Sequence, residues 1–473
     1  MLSSRGALKA HRNTLESHRQ DAGATRVFGC TVRKGAALIL VLWAITVMAL
    51  LAGGLSFAIR QDLAISNLRG DRLVAHVLAR AGVEQAIAAV MDDPIAVDSL
   101  KDDWSDDPAA MEEVELTGGT FTVVHGTANA TPQAAYGAVD ESSKLNVNAA
   151  TKEQLVALPK MTDGIAAAII DWRDADDDPQ PEGIEGSYYA GLAHPYKIRN
   201  APLRTMRELL LVRGVTEELL FGEDTNGNGM LDDSEDDGET TPPNDNRDGR
   251  LDRGWFAYLT VYSYEFNRDG YGIKRLNIKT ADESTLAQRL NLEGWAAKSI
   301  VKAREQKSFE HLVDLLDVKR DTSGGQKAGT SEDINSRGED EKDQPVTLTM
   351  FKQLVDRIAL KDEELLAGRI NINTACREVI RTLPEVDDTL AAAIVERRDA
   401  VSSFASIGEL LDVPGLSKEK FAKLESSVAV RSNVFRIFSK GQSASGLAEA
   451  TIECVMDRGT QSPRVLYWLE SSP

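Results

Sequence analysis

The sequence predicts an α+β fold: a long N-terminal helix that begins in a membrane, a small α/β domain with an antiparallel sheet, and a large inserted all-α domain. Three observations predict it. Residues 36–59 carry no charged side chain. A six-residue motif recurs three times with the same downstream spacing. Strand-like segments lie on both sides of the repeated region.

The helix comes first. At ~1.5 Å per residue, 36–59 is about 36 Å long, enough for a ~30 Å hydrocarbon core. Arg60 and Asp62 end the run. The 35 residues before it hold seven Lys/Arg against Glu16 and Asp21. That excess places the N-terminus in the cytoplasm and everything after Arg60 across the membrane. The run is too long for a secretory signal peptide, and no A-x-A-like site ends it. Leu73, Val74, Val77, Leu78 and Ala81 then recur at one-face spacing, so the helix is expected to reach about Met91.

Formal net charge is −20. The first 35 residues contribute +5 (seven basic minus two acidic), which leaves about −25 beyond them. A nucleic-acid binder needs a basic footprint, so no nucleic acid is expected. Cys30 precedes the apolar run. Cys376 and Cys454 can pair across an oxidising compartment or stand as two buried thiols. The six His are scattered, and there is no phosphate loop or nucleophile elbow. The chain reads as an assembly protein, not an enzyme.

The repeat follows. Leu145-Asn146-Val147-Asn148-Ala149-Ala150 aligns with Leu276-Asn277-Ile278-Lys279-Thr280-Ala281 and with Ile370-Asn371-Ile372-Asn373-Thr374-Ala375. Each is followed by Leu155, Leu286 or Ile380, then Ile169, Ile300 or Ile394, then Arg173, Arg304 or Arg398. Shared spacing over this length implies a repeated supersecondary unit. In the first copy it predicts helices over 152–158 and 165–173 joined by a hairpin. A second pattern follows each copy: Leu203, Met206, Leu209, Leu210 and Val212 match Phe309, Leu312, Leu315, Leu316 and Val318, and Phe404, Ile407, Leu410, Leu411 and Val413. It predicts a short helix and a turn. The whole resembles helix-hairpin-helix (SAM-like) modules. Their hairpin glycines bring backbone amides to a phosphate, whereas the third hairpin here carries Glu385, Asp387 and Asp388. A structural role is expected.

An acidic stretch carries metal-ligand spacing. Residues 224–235 fit D-x-[DN]-x-[DN]-G-x5-E. Calcium takes oxygens from loop positions 1, 3, 5, 7 and 12: Asp224, Asn226, Asn228, the Met230 carbonyl and Glu235. Asp232 at position 9 acts through water, Gly229 allows the turn, and Leu231 is expected to point inward. A second loop offers Asn244, Asn246, Asp248, the Arg250 carbonyl and Asp252. Its position 12 is Trp255, so it binds more weakly or is completed by a distant residue. Structural Ca2+ is the expected cofactor.

The junction Arg33-Lys34-Gly35-Ala36-Ala37-Leu38-Ile39-Leu40-Val41-Leu42-Trp43, with the helix after it, resembles the type IV pilin-like class. It is most similar to the K-type minor pseudopilins of type II secretion (general secretion pathway protein K). The segments 171–177, Glu185, Tyr188-Tyr189, Asn200-Ala201-Pro202 and 208–215 also look like that family. The resemblance implies cleavage by prepilin peptidase after Gly35 and methylation of Ala36. Ordinary pseudopilins carry Glu at mature position five; the K-type does not, and here it is Leu40. The leader is longer than family leaders usually are, which places the expected translation start downstream of Met1. The resemblance also implies calcium binding, an inner-membrane single pass and a C-terminal domain in the periplasm of a Gram-negative-type envelope. The implied partners are the I- and J-type minor pseudopilins of the tip complex, the inner-membrane platform, the prepilin peptidase and the membrane.

The expected organisation is a leader (1–35), a transmembrane part (36–59) and the rest of the pilin helix with the first part of the α/β domain (60–144). Then come the first helix-hairpin-helix unit with the acidic insert (145–275), the second and third repeats with a disordered loop at 321–344 (276–430), and the closing strands (431–473). The expected function is a pseudopilus tip subunit that takes part in initiating pseudopilus assembly and in export across the outer membrane. Two other readings stay open: a membrane-tethered helix-hairpin-helix protein for DNA uptake, and a calcium-dependent surface module on a plain signal anchor.

Overall fold

The computed structural model describes residues 34–127, 133–238, 240, 245–321, 344–459 and 462–471. The interior of the loop expected at 321–344 lies outside them, as do Asn244 and Cys30. The chain divides after Asn67 into two units. One helix, Lys34–Asp92, begins in the first and ends in the second. In the first unit it exposes Leu38, Leu42, Leu50 and Phe57, and it is long and apolar enough to cross a membrane.

In the second unit an antiparallel sheet covers one face of the helix. Val114–Leu116 pairs with Gly119–Val123, which pairs with Val434–Ser443, then Glu449–Asp457, then Arg464–Ser471 at the edge. The short strand Val139–Asp140 also pairs with Val434–Ser443, with Asp140 opposite Phe435. Leu78, Val83, Ala86 and Val90 meet Phe121, Val123, Ile437, Ile452 and Met456 in one core.

The buried face of the helix only partly follows the stripe the sequence suggested: Leu78 is buried, and Val74 and Ala81 pack against the core. Leu73 and Val77 are exposed, whereas Ala75, Ala79, Gly82 and Ala86 are buried. The reason is close approach. A Cβ on Gly441 would collide with the Ala75 carbonyl oxygen, and Ser439 Oγ donates to the Ala79 carbonyl at 2.7 Å. Small residues, not large ones, let the sheet come this near.

Between the strands at 139–140 and 434–443 lies the helical region, with its own core running from Leu145 to Val430. The three repeats share one plan. Each opening dipeptide is a two-residue parallel strand: Leu145–Asn146 with Leu259–Thr260, Leu276–Asn277 with Ile358–Ala359, and Ile370–Asn371 with Val428–Ala429. Helix pairs follow at Lys152–Val156 and Asp163–Arg173, Glu283–Leu290 and Gly294–Gln306, and Arg377–Ile380 and Asp388–Val401. The residue fifteen after each start is left-handed: Lys160, Asn291 and Glu385, at φ +60°, +53° and +61°.

The short helices of the second pattern are 3-10 rather than α, at Met206–Leu211, Leu312–Asp317 and Ile407–Asp412. Six residues leave few i→i−4 bonds to gain, and the tighter turn closes more bonds in a short segment.

The repeated polar positions explain themselves. The second-position asparagine accepts through Oδ1 from the amide two residues on, at Asn146, Asn277 and Asn371. Asn148 and Asn373 clamp the backbone of Leu203 and Phe404 from both sides; Lys279 of the second copy has no side-chain acceptor. Arg173, Arg304 and Arg398 donate back to the carbonyls of Val147, Ile278 and Ile372.

Candidate metal centre

The first acidic loop is a tight turn closed by its own side chains. Thr216 caps the helix Glu217–Leu220, which delivers the chain to Asp224. Gly227 and Gly229 take φ of +73° and +74°, values costly for any residue with a Cβ. The Gly229 amide donates to Asp224 Oδ2 at 2.9 Å, and Asn226 Oδ1 and Asn228 Oδ1 accept from the amides of Asn228 and Met230. Asp232 Oδ2 takes the side-chain amides of Asn226 and Asn228. Glu235 reaches back to the amides of Thr225 and Asp232.

Asp224 and Glu235 are buried, and Asp224 Oδ1 has no hydrogen-bond partner. Burial, then the Glu235 charge, pushes the Asp224 carboxyl up to about 7. Burial likewise raises Glu235. Two buried acids that repel one another with an oxygen to spare suit a hard divalent cation. Leu231 is half-buried, not fully inward.

The second loop is more open. Asn246, Asp248, Arg250 and Asp252 are exposed. Glu223, buried beside Asp224, accepts from the amides of Asn246 and Asp252. It bonds the position-nine amide of this loop as Glu235 does in the first. Trp255 itself is buried and donates to the Pro159 carbonyl at 2.8 Å.

The first loop and Arg253, which follows the second loop's Asp252, also touch residues 126 and 127. The Gly126 amide donates to the Asn228 carbonyl at 2.8 Å, Arg253 donates to the Thr127 carbonyl, and a Cβ at Gly126 would strike the Gly229 carbonyl.

A tighter acidic cluster lies elsewhere. Asp171, Asp174 and Glu185 bring one carboxylate oxygen each to within 4.8 Å of one another. Asp171 and Glu185 are buried. Asp171 Oδ2, Asp174 Oδ1 and both Glu185 oxygens lack partners, as does nearby Asn200 Oδ1. Burial first, then Asp171 and Asp174, push the Glu185 carboxyl up to about 7; burial also raises Asp174. Asp171 and Asp174 share a face at the end of Asp163–Arg173, and the chain returns through Gly183, where a Cβ would collide with Asp171. The ligand pattern of the sequence did not include these three. The i, i+3 acid pair was a signal, but Glu185 joins it only through loop closure.

At the membrane junction, Gly35, Ala36 and Leu40 lie within the helix Lys34–Asp92, and Leu40 is exposed. Cys376 and Cys454 are both free thiols, each held well above the usual thiol range by burial.

A lipid-length helix runs into an antiparallel sheet that a helical region interrupts. Residues 129–221 match the family model described as type II secretion system (T2SS), protein K, and residues 367–429 match a helix-hairpin-helix motif. Over that first stretch the chain carries the signature of protein K, the K-type minor pseudopilin. The crystal structure of the GspK-GspI-GspJ complex from the enterotoxigenic Escherichia coli type 2 secretion system is similar at 13% identity and a TM-score of 0.45, covering 86% of this chain and 99% of that one. No curated protein matches.

Proposed function

We propose that the chain is the tip subunit of a type II secretion pseudopilus. In this reading it takes part in starting pseudopilus assembly beside I- and J-type minor pseudopilins, and so in protein export, with its large domain in the periplasm. The protein K match over 129–221 carries this reading. Leu40 supports the position. Inside lipid an unpaired N-terminal amine is costly, and an apolar side chain cannot offset it for a neighbour placed above. A subunit with Leu there suits the first place in a filament.

The acidic sites are structural in this reading. Asp224, Asn226, Asn228, the Met230 carbonyl, Asp232 and Glu235 would hold one Ca2+, and Asp171, Asp174 and Glu185 another. The cation supplies the charge that buried carboxylates need in order to stay ionised.

The mass of the mature N-terminus tests the pathway. A methylated Ala36 is expected; an intact leader would exclude it. Leu40→Glu tests the position: impaired secretion and tip assembly are expected, and a wild-type phenotype would count against it.

A further inference from the structure

The sequence holds two Asn-Gly pairs, Asn226-Gly227 and Asn228-Gly229, both in the first acidic loop. Such a pair can close on itself. The glycine nitrogen attacks the asparagine Cγ, and with no Cβ on the glycine nothing crowds the approach. In a folded chain the outcome depends on how the two groups are held.

At the first pair they are held for reaction. Asn226 is exposed, so water reaches it and ammonia can leave. Its Oδ1 accepts from the Asn228 amide at 2.9 Å, a turn that folds the carboxamide over the peptide between 226 and 227. The same amide lies on the oxygen that gains negative charge during the attack. Asn226 Nδ2, the leaving nitrogen, donates to Asp232 Oδ2 at 2.6 Å. The Gly227 amide faces the Asp224 carboxylate, and an acceptor on that N–H raises the electron density of the attacking nitrogen. Asp224, Asp232 and Glu235 oppose added negative charge in the loop; the Asn228 amide offsets them at the oxygen itself.

The second pair has similar side-chain bonds. Asn228 Oδ1 accepts from the Met230 amide at 2.6 Å, and Nδ2 donates to Asp232 at 3.1 Å. Its peptide, however, is clamped. The Gly126 amide donates to the Asn228 carbonyl at 2.8 Å, and ring closure has to rotate that peptide. Among the described residues no backbone bond holds the Asn226 carbonyl.

We propose that Asn226 is a self-modification site, selected by the fold over Asn228 and converted to aspartate and isoaspartate. A bond forms between Gly227 N and Asn226 Cγ, the Cγ–Nδ2 bond breaks, and the nitrogen departs as ammonia with the proton that Gly227 loses. Water then opens the cyclic imide at either carbonyl. Either product sets a carboxylate near Asp232, where an amide now donates, and the repulsion opens the loop. The proposal depends neither on calcium nor on the secretion role.

The full chain in lipid nanodiscs is held at neutral pH with a chelator in heavy-oxygen water, and peptides spanning 224–235 are followed by mass spectrometry. Labelled acid at 226 is expected to form at least about fivefold faster than at 228, the rate equivalent of one hydrogen bond. In urea the two rates are expected to converge. Gly126→Ala, whose Cβ strikes the Gly229 carbonyl, is expected to release the clamp and bring 228 up towards 226. Conversion at 226 is expected to quicken hydrogen exchange at 125–127. No labelled acid at 226 in the folded chain, equal rates at the two pairs there, or a preference for 226 that persists in urea would each overturn the proposal.

Discussion

At the scale of single residues, the repeat is a set of hydrogen bonds rather than a set of hydrophobes. Arg398 is buried and donates to the Ala375 carbonyl at 2.7 Å as well as to Ile372. Arg398→Ala strands both carbonyls and is expected to cost about 2–3 kcal/mol, read as a lowered midpoint in urea. The opposite sign is expected at Glu385. A non-glycine in the left-handed region costs roughly 1–2 kcal/mol, and glycine returns about half of that gain as chain entropy. Glu385→Gly should raise the melting temperature by about 1 °C in a chain of this length; a fall would mean that the Glu385 side chain makes a contact worth more than the strain.

The titratable groups give a pH dependence at the same scale. Asp224 and Glu185 both have carboxyls raised to about 7 by burial. A raised folded value means stability that is complete below the unfolded carboxyl range and lost as pH climbs through about 7. With calcium chelated, thermal stability is therefore expected to decline from about pH 4 to pH 7 at these two sites. Added calcium should restore it most above pH 7, where no proton competes. Asp224→Asn and Glu185→Gln should each flatten part of the decline and part of the rescue. A calcium response unchanged in both variants would reject these residues as ligands.

At the scale of elements, two glycines set how closely parts approach. Gly126 meets the acidic loop and Gly441 meets the long helix. Gly441→Val is expected to separate helix from sheet and to cost more than about 3 kcal/mol, since neither backbone can yield cheaply. Gly126→Ala is milder: the loop can withdraw, and hydrogen exchange at 125–127 should quicken while the far sheet edge stays protected. These elements also show what was legible beforehand. The long helix announced itself by length and lack of charge. The repeat did so by spacing, because identical residues make identical bonds in each copy. The face of the helix that is buried did so only in part: Leu78 was marked, but Ala75, Ala79 and Gly82 were not, since hydrophobicity marks large residues and close packing here also selects small ones. The 3-10 turns share their i, i+3 periodicity with α-helix over six residues. The acidic triad depends on the return of the chain from Asp174 to Glu185, a closure that no periodicity encodes.

For the molecule as a whole, charged side chains join the helical region to the sheet. Asp140 accepts from Asn371 at 2.9 Å and Thr374 at 2.6 Å. Arg436 holds Glu141 at 2.8 Å. Arg458 binds Asp98 through both oxygens, and the Asp98 backbone in turn bonds Asn371 and Val430 of the helical region. Each pair is buried, so removing one partner leaves a lone charge in low dielectric. Arg458→Met should destabilise helical region and sheet together, with one cooperative transition at a lower temperature. Two separated transitions would show that they are independently stable.

Asp140 and Phe435 are opposite one another in adjacent strands, although nearly three hundred residues separate them in the chain. The helical region leaves the sheet and returns to it at a single doorway. A short turn could close that doorway without altering any other strand pairing. A lineage could therefore gain, enlarge or discard the whole region as one insertion event, and the sheet beneath would keep its registers through every such exchange.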